Sequence, residues 1–397
     1  MTLNVLTLST LFPDMTRPNF GIFVERQVRE LASRPEADVT VIAPVGLPRW
    51  PMSLMSHYRA MRHLPQVEQW RNLTVYRPRF PIIPKVSGPM NVRAMYRAIL
   101  PLVRKLHAQR PFDVIDASFF YPDGPVAQRL SRKLGIPYSV KARGADIHLW
   151  GSKPATRKMV RDAGRNAAGL LAVSEAMRRN MIAMGMDGDH TTVHYTGVDL
   201  DRFAIRDRAE AKAKMGLSGP VIVSVGALIP RKGQALLIQA LADIPGATLL
   251  LLGTGPEAHA YLDLAVKLGL SDRVGTPGAV PHDALPDYLN AADVMALPSA
   301  SEGLANAWVE ALACGTPIVI SDVGGARELL DRPEAGHIVD RDPVAISEAI
   351  QDLLASPPDR HAVRQAAMRF TWQANGDALL AHLQRVSGKP AGEAKAA

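Results

Sequence analysis

The sequence predicts an α/β protein built from two Rossmann-like, doubly wound domains, each a mainly parallel sheet flanked by helices, facing one interdomain cleft. Three observations carry that expectation. Short apolar runs alternate with segments of helical periodicity, the alternation starts afresh near the middle of the chain, and glycine, proline and polar turns punctuate the ends of the runs. With 397 residues, 47% of them apolar, the chain is long enough to bury two cores.

In the first half, Asn4–Ser9 reads as a buried strand, followed by a loop to Gly21 and a helix with apolar residues at Phe23, Val24, Val28 and Leu31. The loop is not G-x-G-x-x-G and gives no support to dinucleotide binding. Val39–Ala43 is a second strand. The segment from Pro48 to Arg79 mixes Trp50, Met52, Leu54 and Met55 with Arg49, Arg59, Arg62 and Arg71, and a helix over Val92–Leu106 carries Arg93, Arg97, Arg104 and Lys105. Apolar side chains beside arginines suit a helix lying in an anionic membrane surface, and they suit an ordinary domain helix with a basic outer face equally well. Pro48, Pro51 and Pro65 interrupt any long run. Phe112–Ala117 and Tyr138–Ala142 are further strands around a helix at Gly124–Leu134. The second of these strands runs into Arg143, Gly144, Asp146 and His148, polar or small residues at a strand's carboxyl end, where clefts are lined. Gly169–Ser174 is one more strand.

The second half opens with a strand at Val221–Val225, the loop G-A-L-I-P-R-K-G, and a helix over Gln234–Leu241. Lys232 in that glycine-flanked loop is placed to meet a diphosphate as a point charge. The strand Ala247–Leu252 ends in Gly253-Thr254-Gly255-Pro256, a turn that would let a flat base or a phosphate come close. Pro298–Gly325 then reads as loop, helix, turn and buried strand. The free amides at the helix start follow Gly303 and attract phosphate. Glu302 lies before the helix and Glu310 two turns inside it. Beside a phosphate these acids make sense as acceptors of hydrogen bonds from neutral hydroxyls; the alternative is a capping acid and a solvated helical acid.

Composition limits the function classes. The net charge of +8 is uneven, with 28 Lys or Arg against 15 Asp or Glu in residues 1–199 and 18 against 23 in residues 200–397. A basic first half points to an anionic partner surface or to solubility alone. Few aromatics and no recognition motif argue against nucleic acid. No apolar run approaches the ~18 residues of a membrane span, and the amino terminus has no basic start or cleavage site, so a cytoplasmic chain is expected. The single cysteine, Cys314, rules out an internal disulfide and reads as a small buried residue. The triplets Asp187-Gly188-Asp189 and Asp199-Leu200-Asp201 are read as loop acids with no metal.

The run S-E-G-x-x-N-x-x-x-E-A-x-A-C-G-T-P-x-V-x-S-D-V-G-G from Ser301 to Gly325 closely resembles the E-x7-E signature of the retaining nucleotide-sugar glycosyltransferases of family 4, which have the two-domain GT-B fold. The resemblance implies that Glu302 contacts the donor sugar, Glu310 binds the ribose, and Gly303, Leu304, Ala305 and Asn306 face the diphosphate. Lys232 matches the lysine of the family's G-R-L-x-x-x-K-G loop; Ala227 stands where the arginine would be, and Arg231 in the same loop is the candidate replacement. Residues 273–298 resemble the segment around the nucleotide base, which adds Val280 to Gly253 and Gly255 as donor-site candidates. Gly144 and Asp146 match the family's H-G-x-D, with Arg143 in the histidine's place and His148 a weaker stand-in. Gly21 belongs to the loop expected near the acceptor, a plain helix-start glycine being the equal alternative.

Thr196–Phe203 resembles the family's interdomain linker, so the expected domains are 1–195, joined by a C-terminal helix of about 372–387, and 196–371, with 388–397 a disordered tail. The implied activity is transfer of a sugar from a nucleoside diphosphate donor to an acceptor hydroxyl with no further cofactor and no metal. Glu302, Lys232 and Asp146 are the catalytic candidates. A lipid-linked or glycan acceptor at the inner membrane face is expected, in polysaccharide or glycolipid synthesis. A catalytically weak scaffold subunit and a GT-B nucleotide-sugar epimerase are the alternatives.

Overall fold

The computed structural model of the protein describes residues 2–18, 20–83 and 89–389. The chain divides into two compact units, the first running to Gly197 and completed by the segment from Trp372, the second spanning Val198–Thr371.

The first unit holds β1 (Leu3–Leu8), β2 (Ala37–Ile42), β3 (Val45–Pro48), β4 (Val67–Trp70), β5 (Leu73–Tyr76), β6 (Arg79–Ile82), β7 (Val114–Ala117), β8 (Tyr138–Ala142), β9 (Gly169–Ala172) and β10 (Thr191–Val193). Its main sheet runs β10-β9-β8-β7-β1-β2-β5-β4, while β3 and β6 form a separate pair. All neighbours in the main sheet are parallel except β4 on β5. β1 lies between β2 and β7, so the connections leave in opposite directions there and a crevice is expected outside the carboxyl ends of β1 and β7. Strands covered on both faces are buried at every position, as β7, β8 and β9 are, even where β7 carries Asp116 and β8 carries Ser139 and Lys141.

The two mixed basic segments resolve differently from a membrane-surface helix. Pro48–Arg79 forms loops, a short helical turn at Met52–Leu54, a helix of 7 residues at Ser56–Arg62 and the strands β4 and β5. The prolines break the run, and the period-two pattern of Leu73–Tyr76 pairs as an antiparallel hairpin with Val67–Trp70. The second segment is a helix over Pro89–Gln109. Its Val92, Met95, Ile99 and Val103 recur every three or four residues and are buried in the unit's own core, while Arg93, Arg97, Arg104 and Lys105 face outward. That apolar face is used up inside the protein.

The helix Trp372–Ser387 closes the first unit. Its Leu379 and Leu383 share a core with Val24, Val28 and Leu31 of the helix Ile22–Ala32. His382 and Ser139 of β8 share a 2.7 Å hydrogen bond, and burial holds the imidazole at a pKa of about 3, so it stays neutral there. The tail expected from 388 is tied down at its start, where Lys389 Nζ lies 2.7 Å from Asp113; residues 390–397 fall outside the described residues.

The second unit holds β11 (Val221–Val225), β12 (Thr248–Leu252), β13 (Val274–Gly278), β14 (Val294–Leu297), β15 (Ile318–Ser321) and β16 (Gly336–Val339), all parallel in the order β13-β12-β11-β14-β15-β16. Here β11 is flanked by β12 and β14, which makes the loops after β11 and β14 neighbours at the second switch point.

Candidate active site

Two loops meet at that switch point. The loop after β11 ends in a short turn at Pro230–Lys232, and the loop after β14 carries Pro298–Gly303. Gly233 adopts a left-handed conformation, φ 78°, and any Cβ there would collide with the Pro298 carbonyl, so the loops can close only on a glycine. The Ala300 amide donates to the Arg231 carbonyl at 2.7 Å, and an Arg231 Nη1 proton goes to the Ser301 carbonyl. Gln234, fully buried, donates from Nε2 to the Ala227 carbonyl at 3.0 Å and fixes the start of the β11 loop. Within this frame Lys232 Nζ lies 2.6 Å from Glu302 Oε1, the side chains only 13% and 10% exposed. Arg231 Nη1 adds a second positive charge 3.5 Å from the same oxygen. The fold therefore brings the predicted lysine, its neighbouring arginine and the first acid to one point.

The helix behind this loop is Asn306–Ala313, with Ala305 in the cap position and no side chain bonded to its first amides. Glu302, Gly303, Leu304, Ala305 and Asn306 thus lead into a helix start with no side-chain cap, where the Trp308 amide returns to the Ala305 carbonyl at 3.1 Å. Trp308, fully buried, anchors this helix in the unit. Burial pushes the Cys314 thiol at its far end up to about 12, which leaves it inert.

Glu310 does not face solvent alone. Its Oε1 accepts from His282 Nε2 at 2.8 Å, and the Nδ1 of that imidazole lies 3.3 Å from Arg202 Nη1. The imidazole edge also meets the Phe203 ring, centroids 5.2 Å apart. His282 is the residue here that the sequence reading missed; the signal was a lone histidine in the loop after the base-side strand.

The Gly253–Gly255 turn also packs against the neighbouring loop. A Cβ on Gly253 would strike the Gly226 carbonyl and one on Gly255 the Leu228 carbonyl. The Leu228 amide donates to the Thr254 carbonyl at 3.0 Å. Those glycines let the loops after β11 and β12 lie against each other, so the space opened by the missing side chains is filled by the protein's own backbone. Val280 is half-buried, two residues beyond β13 at the same carboxyl edge of the sheet.

In the first unit, Arg143 follows β8 and is pinned. Its Nε donates to the Ser118 carbonyl at 2.8 Å, its Nη2 to Gln27 at 3.2 Å, and its guanidinium stacks 4.9 Å from the Phe23 ring. Burial lowers its pKa to about 10 against the opposing pull of Asp116, Asp146 and Asp123, so it remains charged at neutral pH. Asp146 is fully buried and its carboxylate accepts backbone N–H groups from Arg143, Gly144, Ile147 and Phe120 at 2.8 to 3.3 Å. These contacts make it the knot of the Arg143 loop, with no free face for a substrate. Gly21 begins the helix Ile22–Ala32 in a left-handed conformation, φ 69°, packed against the Leu11 carbonyl.

A buried polar cluster behind Arg143 escaped the sequence reading. Burial holds Lys141 well below the usual lysine range; its Nζ lies 3.1 Å from Gln27 Oε1 and 2.7 Å from His194 Nδ1. His194 Nε2 in turn donates to the Asn375 carbonyl at 2.8 Å. Asp116 is fully buried with neither oxygen hydrogen-bonded, and burial pushes it up to about 6; burial likewise lifts Asp123, which accepts the Thr10 amide at 3.0 Å, to about 7. Single charged letters inside apolar strands were the only sign of this cluster. Of the two acidic triplets, Asp187 is engaged by His190 at 2.7 Å and Asp199 accepts the Arg202 amide at 3.1 Å.

Residues 21–202 match the model of Glycosyltransferase Family 4 and residues 206–370 that of the glycosyl transferases group 1. The chain is 31% identical over 360 residues, 88% of each protein, to TuaC of Bacillus subtilis (strain 168), a glycosyltransferase provisionally assigned to teichuronic acid biosynthesis. It is 32% identical to a GDP-mannose-dependent alpha-(1-6)-phosphatidylinositol monomannoside mannosyltransferase of Mycolicibacterium smegmatis, over 63% of this chain and 69% of that one. Among solved structures, sucrose-phosphate synthase from Thermosynechococcus elongatus superposes with a TM-score of 0.78 at 22% identity, covering 97% of this chain and 99% of that one. Anabaena HepE in complex with UDP gives 0.74 at 20% identity, covering 97% and 100%. Two successive family matches, a relative alike over nearly its whole length and a shared two-domain GT-B fold lead to one conclusion: this chain is a glycosyltransferase of family 4.

Proposed function

We propose that the protein transfers a sugar, with retention of anomeric configuration, from a nucleoside diphosphate sugar to an acceptor hydroxyl in the synthesis of a cell-surface polysaccharide or glycolipid. The observation that carries this reading is the Lys232–Glu302 pair at the switch point of the second unit, beside a helix start with no side-chain cap. In the reaction, negative charge grows on the departing diphosphate. Lys232, Arg231 and the amides at Ala305 and Asn306 supply a fixed positive field for it, the role a divalent metal plays elsewhere, and a preorganised field of this kind lowers the barrier without reorganisation. Glu302 accepts hydrogen bonds from the sugar hydroxyls, and Glu310 accepts them from the ribose. Arg231 takes over from the arginine that Ala227 lacks. Asp146 serves as a positioning residue that shapes the Arg143 loop on the acceptor side. HepE was solved with UDP and a mycobacterial relative uses GDP-mannose, so uridine and guanosine donors head the set to try. The scaffold and epimerase alternatives draw no support from relatives named as transferases.

The acceptor in this reading is lipid-linked or a growing glycan, with the protein working at a membrane surface. No helix among the described residues is long and apolar enough to cross a membrane. Trp50, 78% exposed, stands with exposed Met52, Leu54 and Met55 beside Arg49 and Arg59, a mixture suited to an anionic interface.

A thermal-shift screen of nucleotide-sugars should find one donor that raises the melting temperature, since only a ligand preferring the folded state does so. Glu310→Ala should then weaken that donor about tenfold or more, the cost of about 1.5–3 kcal/mol for losing a charged hydrogen-bond partner; an unchanged dissociation constant removes the ribose role. Glu302→Gln should cut kcat about 10- to 100-fold while donor affinity moves far less, and equal turnover in the two proteins counts against a sugar-binding acid. Binding to anionic vesicles should weaken steadily as salt rises, whereas salt-independent binding, or none, speaks against the surface role.

A further inference from the structure

A separate cavity of about 620 Å³ opens in the first unit, and none of its lining residues belongs to the donor-side assignment. One wall is the helix Pro154–Arg165, which carries Arg157, Arg161 and Arg165 at intervals of four, so the three guanidinium groups rise along one face. The opposite walls are the helical turn Asp146–Trp150 and the end of the helix Glu175–Ala183.

Three like charges in a row repel one another, and the protein supplies little to offset them. No carboxylate is among the described residues lining the cavity. The acid at the start of the facing helix, Glu175, is engaged by Arg178 at 3.1 Å. Arg165 is anchored through its Nε to the Gly185 carbonyl at 2.9 Å. Arg161 is different: its Nε is buried with no acceptor, an unmet donor that a bound anion would satisfy. Arg157 is exposed at the cavity rim. Polar and small apolar groups complete the lining, His148 Nε2 and Asn180 Nδ2 sharing a 3.0 Å hydrogen bond. Guanidinium groups bind phosphate oxygens in pairs of parallel hydrogen bonds, and a cavity of this size holds much more than a bare ion.

We infer that this pocket binds a phosphate-bearing polyol, with Arg157 and Arg161 on the phosphate and the His148–Asn180 wall toward the hydroxyls. The phosphate comes either from a soluble sugar or polyol phosphate or from a glycerophosphate lipid headgroup, and the two sources are separable. The full-length protein is titrated with glycerol 3-phosphate, with glycerol as control, and in parallel is floated with phosphatidylcholine vesicles with and without phosphatidylglycerol. Each is repeated with the double variant Arg157→Ala plus Arg161→Ala and with Arg157→Lys plus Arg161→Lys, their folding checked by circular dichroism melting. Binding of glycerol 3-phosphate that falls at least tenfold in the alanine variant, and less in the lysine variant, identifies a soluble ligand. Loss confined to phosphatidylglycerol vesicles identifies the headgroup. If both probes bind wild type and the folded alanine variant alike, or bind neither, the inference is overturned. Because no residue of the second unit is altered, failure here leaves the donor reading standing, and failure of the donor reading leaves this test intact.

Discussion

The candidate site of the second unit turns on one ion pair, Lys232 with Glu302, that the surrounding fold holds in place. An ammonium and a carboxylate 2.6 Å apart, both largely withdrawn from water, lose hydration that only good geometry can offset. The geometry has to be imposed from outside the pair. It comes from the register of β11 against β14, which brings two loops together, from the glycine at 233 that lets Pro298 approach, and from the Ala300–Arg231 backbone bond that fixes their separation. The uncapped helix start next to it is the second half of the same device. The pair itself is neutral; Arg231 and the helix start are the positive elements beside it, at the carboxyl end of a parallel sheet, where α/β proteins bind anions.

The first unit meets the opposite electrostatic problem. Arg143 enters a pocket with three buried acids, and its charge is neutralised by their proximity and by contacts to Ser118 and Gln27. Behind it, burial holds Lys141 and His194 well below their usual values, in a chain of hydrogen bonds ending on the Asn375 carbonyl of the last helix. The C-terminal segment is therefore bound to the first unit by polar links as well as by Leu379 and Leu383. Partly satisfied buried networks are costly, and the unpaired oxygens of Asp116 mark where this one is incomplete.

Much of this was legible from residue order. The fully buried parallel strands announced themselves as apolar runs, and the loop, helix and strand around Glu302 could be placed because glycine and proline fix its ends. Lys232 and Glu302, 70 residues apart, were named separately, yet their contact follows from strand order, which no local pattern encodes. The same limit hid His282, whose partner lies 28 residues away. The glycines at 253 and 255 signal close approach without saying of what; another loop's carbonyls occupy the side where a Cβ would stand. The basic segment after Pro48 was ambiguous for a physical reason as well, since arginines beside apolar residues suit strands, helices and interfaces alike.

The most direct measurement compares calorimetric binding of the donor's nucleoside diphosphate and of its unphosphorylated nucleoside to wild type and to Lys232→Met. If Lys232 holds the diphosphate, the variant loses about 10- to 100-fold in affinity for it, the value of a charged hydrogen bond to phosphate, and little for the nucleoside. Equal loss for both ligands, or no loss for the diphosphate, would contradict that role.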